Sequence, residues 1–251
     1  MQVEYRDNIA IARMQLGKAN AMGASFLTGL TQILDQLQEK PAGCVILTGY
    51  DRFFSAGLNL LELWEYDRVE LTQFLNKCSS TFIRLVKLPQ VVIAAINGNA
   101  IAGGAILAQT ADYRIMARSE IKIGVNEIQL GIPFPRQVLE IVKDRLPVTS
   151  HFDAIYRGLL YSPDEALKVG FIDEVCESDE LEKRAFTLAQ EIASKQWDAM
   201  TCIKQELLAS RVEKLEMLGR LGDSDFINIW FSKDTRARMG MLVESLKAKK
   251  K

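Results

Sequence analysis

Twice in this chain an apolar strand runs into a glycine turn that opens straight into a helix. The two places are "FFSAGLNLLEL", residues 53–63, and "AINGNAIAGGAILAQ", residues 95–109. A helix start carries backbone N–H groups without partners and the positive end of the helix dipole, and glycine lets another group approach the backbone closely. Two such turns constrain the chain to alternate strands with helices over much of its length.

The rest of the pattern agrees. "VEYRDNIAIARMQ" reads as two strands around Arg6-Asp7-Asn8, a hairpin. "ASFLTGLTQILDQLQE" places Phe26, Leu27, Leu30, Ile33, Leu34 and Leu37 at helical spacing and stops before Pro41-Ala42-Gly43. "CVILTG" and "VVIAAI" are buried strands, and "VELTQFLNKCSSTFIRLVKL" is an amphipathic helix halted by Pro89. Further on, "ADYRIMA" and "IKIG" read as strands and "PRQVLEIVKDRL" as a helix. "SPDEALKVGFIDEV" is a helix from Ser162 to Gly170 followed by a strand, and from about Ser178 the pattern is helical to the end. The reading is an α/β core with a helical C-terminal extension.

Composition excludes several functions. With 31 basic and 32 acidic residues the chain is nearly neutral, which argues against nucleic acid or an anionic membrane as its main partner. The basic tail "KAKKK" reads as a solvated helix end. Cys44, Cys78, Cys176 and Cys202 stand far apart, and His151 is the one histidine, so no metal site or histidine-based triad is expected. His151 reads as a first-turn residue of a helix in "SHFDAIYRG". No secretory or transit pattern and no membrane-length apolar run is present, so a cytoplasmic location is expected; a mature organellar form would read the same.

Neither glycine turn fits a phosphate loop, for "GNAIAGG" lacks both the Walker Lys-Ser/Thr and the dinucleotide spacing. Two converging N–H groups would instead make an oxyanion hole. With no nucleophile beside it, the natural chemistry is proton transfer, which needs a carboxylate. "GVNEIQLGIPFP" supplies Glu127 between Val125 and Ile128, apolar surroundings that raise a carboxyl pKa. On residue type alone, Gly57, Gly103 and Gly104 read equally as packing glycines, and Glu127 as a surface-turn residue.

Taken together, "KANAM", "FFSAGLNLLEL", "AINGNAIAGGAILAQTADYRI", "IGVNEIQLGI" and "YSPDEALKVGFIDEV" resemble the crotonase (enoyl-CoA hydratase/isomerase) superfamily over nearly the whole chain. The resemblance implies a spiral of ββα turns over residues 1–195, holding an acyl-CoA site. Residues 196–251 would then be a helical region for assembly into a homotrimer or a hexamer of paired trimers. It implies that the N–H groups of Leu58 and Gly103 bind the thioester carbonyl, with Gly104 beside them. It places Ser55, Ala56 and Gly57 along the coenzyme A path, Lys18 and Ala19 near its nucleotide end, and Lys233 where a neighbouring subunit can approach it. No separate cofactor is implied, since coenzyme A is part of the substrate.

Two departures from the family pattern matter. The family's AGxD is Ala56-Gly57-Leu58-Asn59 here, and Asn59 is expected to cap the following helix. Hydratases resembling this chain carry two glutamates, whereas Ile106 stands at the first position and Glu127 at the second. Water addition loses a partner, but a double-bond shift from 3-enoyl to 2-enoyl thioester needs one carboxylate. The pattern most resembles the mitochondrial-type Δ3,Δ2-enoyl-CoA isomerases, "DFINIWFSKD" included. A hydratase or another crotonase-type lyase, and a non-catalytic acyl-CoA-binding or complex-forming protein, are the alternatives. Trp64 and Phe134 are candidates for the acyl pocket or the core, and Glu62 and Glu65, just past the first turn where a backup carboxylate would come from, read rather as solvated helix acids.

Overall fold

The computed structural model describes residues 1–17 and 19–248. Strands β1 (Gln2–Arg6) and β2 (Ile9–Arg13) pair antiparallel about the expected turn. Asp7 and Asn8 take positive φ, 48° and 62°, the hairpin geometry whose twist matches the strands. Helix α1 (Ala24–Glu39) buries all six apolar residues read from its periodicity.

From there the chain spirals between two sheets. β3 (Cys44–Thr48) joins the large sheet and β4 (Phe53–Ser55) the small one, followed by α2 (Leu60–Leu63) and α3 (Arg68–Val86). The next turn repeats this with β5 (Val91–Ile96), β6 (Asn99–Ile101) and α4 (Gly103–Gln109). The third has β7 (Tyr113–Arg118), β8 (Ile123–Gly124), a 3₁₀ turn at Glu127–Leu130 and α5 (Arg136–Arg145). The small sheet is therefore β4-β6-β8, all parallel, and the site groups follow the C-terminal ends of its three strands.

The large sheet has the order β1-β2-β3-β5-β7-β9, parallel from β2 onward, with β9 (Glu174–Glu177) at its edge. All five β3 residues are buried, as expected for a strand covered on both faces. Before β9, α6 (Pro163–Lys168) starts from a Ser162–Glu165 capping box, and Gly170 follows it with φ of 75°. His151 opens the expected helical segment, which is a single π-helical turn, Phe152–Tyr156, and its ring lies 3.0 Å from the Leu146 carbonyl oxygen.

The C-terminal quarter is helical as read: α7 (Leu181–Ala193), α8 (Trp197–Leu221), α9 (Ser224–Trp230) and α10 (Lys233–Ala248). Helix α7 lies across β2, β3, β5 and β7, while α8 packs on α5, α9 on α3, and α10 on α2 and the 3₁₀ turn. The last helix thus folds back over the strand ends of its own chain. No described helix is long and apolar enough to cross a membrane.

Candidate active site

The first turn is held by a set of short bonds. Ser55 is fully buried; its hydroxyl donates to the Asn20 carbonyl at 2.7 Å and accepts from the Gly57 N–H at 3.2 Å. Gly57 has φ of 80°, and a Cβ there would stand 2.7 Å from the Ile101 oxygen and 3.0 Å from the Gly103 nitrogen. Only glycine satisfies both demands. The Met22 N–H donates to the Gly57 oxygen at 2.7 Å and the Asn59 N–H to the Met22 oxygen at 3.0 Å, pinning Leu58 from both sides. Among the described residues the Leu58 N–H itself has no acceptor.

The second turn rests on strain. Ala102 sits at φ 50°, ψ −122°, a conformation costing a side-chain-bearing residue about 1–3 kcal/mol. It is locked there because its N–H donates to the Gly124 oxygen at 2.8 Å and its carbonyl accepts from Ile106 N–H at 3.1 Å. Gly103 then opens α4, and its N–H also lacks an acceptor among the described residues. A Cβ on Gly103 would lie 3.7 Å from the Leu58 nitrogen, so the two free donors are neighbours. Gly104 lets the helix close on the first turn, where a Cβ would meet the Ser55 oxygen at 2.1 Å.

The third strand end supplies Glu127, 8% exposed, with Oε2 buried and unpartnered. Burial pushes its carboxyl up to about 8, opposed only by a hydrogen bond from its own backbone N–H. Leu58, Gly103, Ile106, Ser79, Phe134 and Glu127 all line one cavity of ≈ 30 Å³. That is room for one or two waters. Ile106 is 3% exposed there, so no second carboxylate reaches the chamber from α4. Trp64 does not line it; it stacks under Arg236, 3.4 Å from the guanidinium carbon to the ring centroid.

Leu58 also lines a groove of ≈ 740 Å³ that runs past Ala19, Ala56 and Leu60 beneath Leu242 and Leu246 of α10. The groove and cavity meet at Leu58, a path for an elongated molecule whose reacting end reaches Glu127. Of the other expected site residues, Ser55, Gly57 and Gly104 build the turns without lining this groove. Lys233 is exposed at the start of α10 and lines neither space, and Lys18 lies outside the described residues.

Two expectations are corrected. Asn59 makes no side-chain cap on α2; its amide donates to Glu62 at 2.9 Å. Glu62 is no solvated acid, since it also accepts from the Ala24 N–H at 2.8 Å and the Tyr66 hydroxyl at 2.7 Å. It caps α1, which lacks a cap of its own, and so ties α2 to α1 beside the groove. Asn20 was legible only as part of "KANAM". It is fully buried at φ 48°, with its amide donating to the Met14 and Phe54 carbonyls and accepting from Leu16 N–H.

The chain is similar in sequence and in shape to known proteins. The enoyl-CoA hydratase/isomerase family model matches residues 4–250. The human mitochondrial enoyl-CoA delta isomerase 1 is 32% identical over 251 residues, covering 96% of this chain and 81% of that one. The short-chain-enoyl-CoA hydratase of Clostridium acetobutylicum is 29% identical over 208 residues, 82% of this chain and 79% of the other. The crystal structure of human mitochondrial Δ3,Δ2-enoyl-CoA isomerase superposes with a TM-score of 0.93 at 27% identity, covering 100% of this chain and 99% of that one. Matched by the family model over residues 4–250, and 32% identical to the human isomerase across 96% of its length, this chain belongs to the enoyl-CoA hydratase/isomerase family.

Proposed function

We propose that the protein is a Δ3,Δ2-enoyl-CoA isomerase with Glu127 as its one proton carrier. The observation that carries this reading is the lone carboxylate: Glu127 faces a cavity in which the α4 wall is Ile106. The substrate lies along the groove past Ala19 and Ala56, with its thioester carbonyl oxygen on the N–H groups of Leu58 and Gly103. Ionised Glu127 removes a proton from C2 of the 3-enoyl chain. The C2–H electrons form a C1–C2 double bond and charge moves to the carbonyl oxygen, where the two N–H groups hold it. The dienolate then collapses: the C1–O double bond re-forms, the C1–C2 π electrons shift to make the new C2–C3 double bond, and the old C3–C4 π electrons take the proton from Glu127 at C4. Atoms and charge balance without water, metal or redox partner, and the carboxylate is regenerated.

The similarity to isomerases by name supports this reading, and the similarity to a hydratase keeps a second one in view. Hydration has one observation in its favour. The Ser79 hydroxyl lines the same cavity, buried and without a partner, and would hold a water that Ile106 cannot. The reading extends to assembly: Val148, Phe152 and Tyr156 are exposed apolar residues that suit a homotrimer or a hexamer of two trimers.

Substituting the carboxylate tests the proposal. Glu127→Gln keeps size and removes the base, so acyl-CoA binding should persist while isomerisation falls by at least about 10³-fold. Normal turnover in that variant would exclude Glu127 as the carrier. Ser79→Ala should leave isomerisation intact and lower any hydration.

A further inference from the structure

A separate pocket, ≈ 430 Å³, opens between α8, the C-terminal end of α5 and Asp112 after α4, and it shares no lining residue with the cavity or the groove. Arg145, Lys204 and Arg211 line it, and a fourth cation, Arg114, stands near Arg145 outside the lining. Two are matched. Lys204 bonds Asp112 and the Gln90 carbonyl, each at 2.6 Å, and Arg114 bonds Asp173 at 2.7 Å.

Arg145 and Arg211 are not matched. Arg211 reaches only Asp144, at 3.2 Å from Nε and 46% exposed, and Arg145 only the far oxygen of Asp112 at 3.8 Å. Neither guanidinium donates a hydrogen bond to any described residue, although each carries five N–H donors. The Arg211 side chain is 6% exposed and its Nε and Nη2 are buried without partners, as is Nε of Arg145. Burial and then the adjacent Arg145 lower the Arg211 pKa to about 10; Arg145 is lowered by burial and then by Arg114. Two like charges, desolvated side by side with their donors unused, are an arrangement that a fold stabilises only with a counter-charge.

We propose that Arg145 and Arg211 form a binding site for an oxyanion, a phosphate or carboxylate group taken by the paired guanidinium forks. Planar guanidinium matches two oxygens of such a group at once, and the pocket leaves space for it in front of them. Asp112 and Asp144 set the opposite side of the charge balance, and Lys204 with Arg114 neutralises Asp112 and Asp173, which leaves the two arginines with Asp144 alone. The rim is apolar, with Ile203 and Leu207 exposed, so the oxyanion has two sources: a free ion, or a carboxylate on the surface of a second copy of this chain.

The test follows thermal unfolding of the full chain in inorganic phosphate against chloride at matched ionic strength, for the wild type, Arg211→Met and Arg145→Gln. A free oxyanion predicts a saturable rise of about 3–6 °C at roughly ten times its dissociation constant, absent in both variants. In anion-free buffer Arg211→Met, which removes the uncompensated charge, should melt no lower than the wild type. A carboxylate from a second copy predicts no phosphate-specific rise, with both variants assembling less completely in light scattering at equal concentration. Two results overturn the proposal. One is a phosphate response that both variants retain; the other is no phosphate response with assembly unchanged in both.

Discussion

Glu127 must be ionised to take a proton, yet its burial in a chamber for one or two waters lifts its carboxyl to about 8. Below that value the reactive fraction falls about tenfold per pH unit, so kcat/KM for isomerisation should climb with pH and level off above about 8. A flat profile from pH 6 to 9 would contradict the assignment. The same shift has a stability sign. Between the ordinary 4.5 and about 8 the folded chain holds a proton that the unfolded chain has lost, so this residue makes stability fall as pH rises through that window. Glu127→Gln removes the penalty: its unfolding free energy relative to wild type should gain from pH 5 to pH 8, by an amount of the order of a few kcal/mol. Equal melting differences at both pH values would count against a buried neutral carboxyl. In the sequence, Glu127 was visible through its apolar neighbours, but Ser79 was hidden inside an ordinary amphipathic helix. Its exposure to the cavity depends on Phe226 and Val138, far along the chain, closing the other walls.

Among elements, the glycine turns carry the account. Gly57 is held at positive φ against the Ile101 oxygen, whereas a Cβ on Gly17, also at positive φ and lining the groove, would meet no described atom within 4 Å. Gly57→Ala should therefore cost more than the roughly 1 kcal/mol expected for Gly17→Ala, and it should displace the Leu58 N–H, lowering kcat by about 10²-fold or more. Denaturant melts and kcat of the two variants check this; equal losses would show that the turn has no special geometry. Helix α1 was legible residue for residue because its periodicity is local. The strained Ala102 was not, because its conformation is imposed by Gly124 from the next turn of the spiral. The expected Asn59 cap fails for a similar reason. The nearest demand on Asn59 is not the start of α2 but Glu62, which α1 has already recruited.

At the scale of the molecule, the change from mixed strands and helices to helices alone was readable, and the reason for it lies in coverage. Helix α7 covers the large sheet, and α10 roofs the groove with Leu242 and Leu246 over Ala19 and Ala56. That contact joins the two ends of the chain and has no signature in either. Leu246→Ser should thus weaken acyl-CoA binding severalfold with little change in kcat, since it wets the groove and leaves the cavity alone; a loss confined to kcat would refute this place for α10. The proposed homotrimer or hexamer, to which the exposed Val148, Phe152 and Tyr156 would offer contact surface, should appear as three or six chains in light scattering, and a monomer at micromolar concentration would contradict it. Under the proposed function, the one carboxylate opposite Ile106 moves a double bond rather than adding water. The most direct measurement supplies the purified protein with 3-enoyl-CoA and 2-enoyl-CoA separately and identifies the products by mass and ultraviolet absorbance. Rapid formation of 2-enoyl-CoA from the first, with little 3-hydroxyacyl-CoA from the second, is the predicted result; rapid hydration of the second with negligible isomerisation of the first would contradict it.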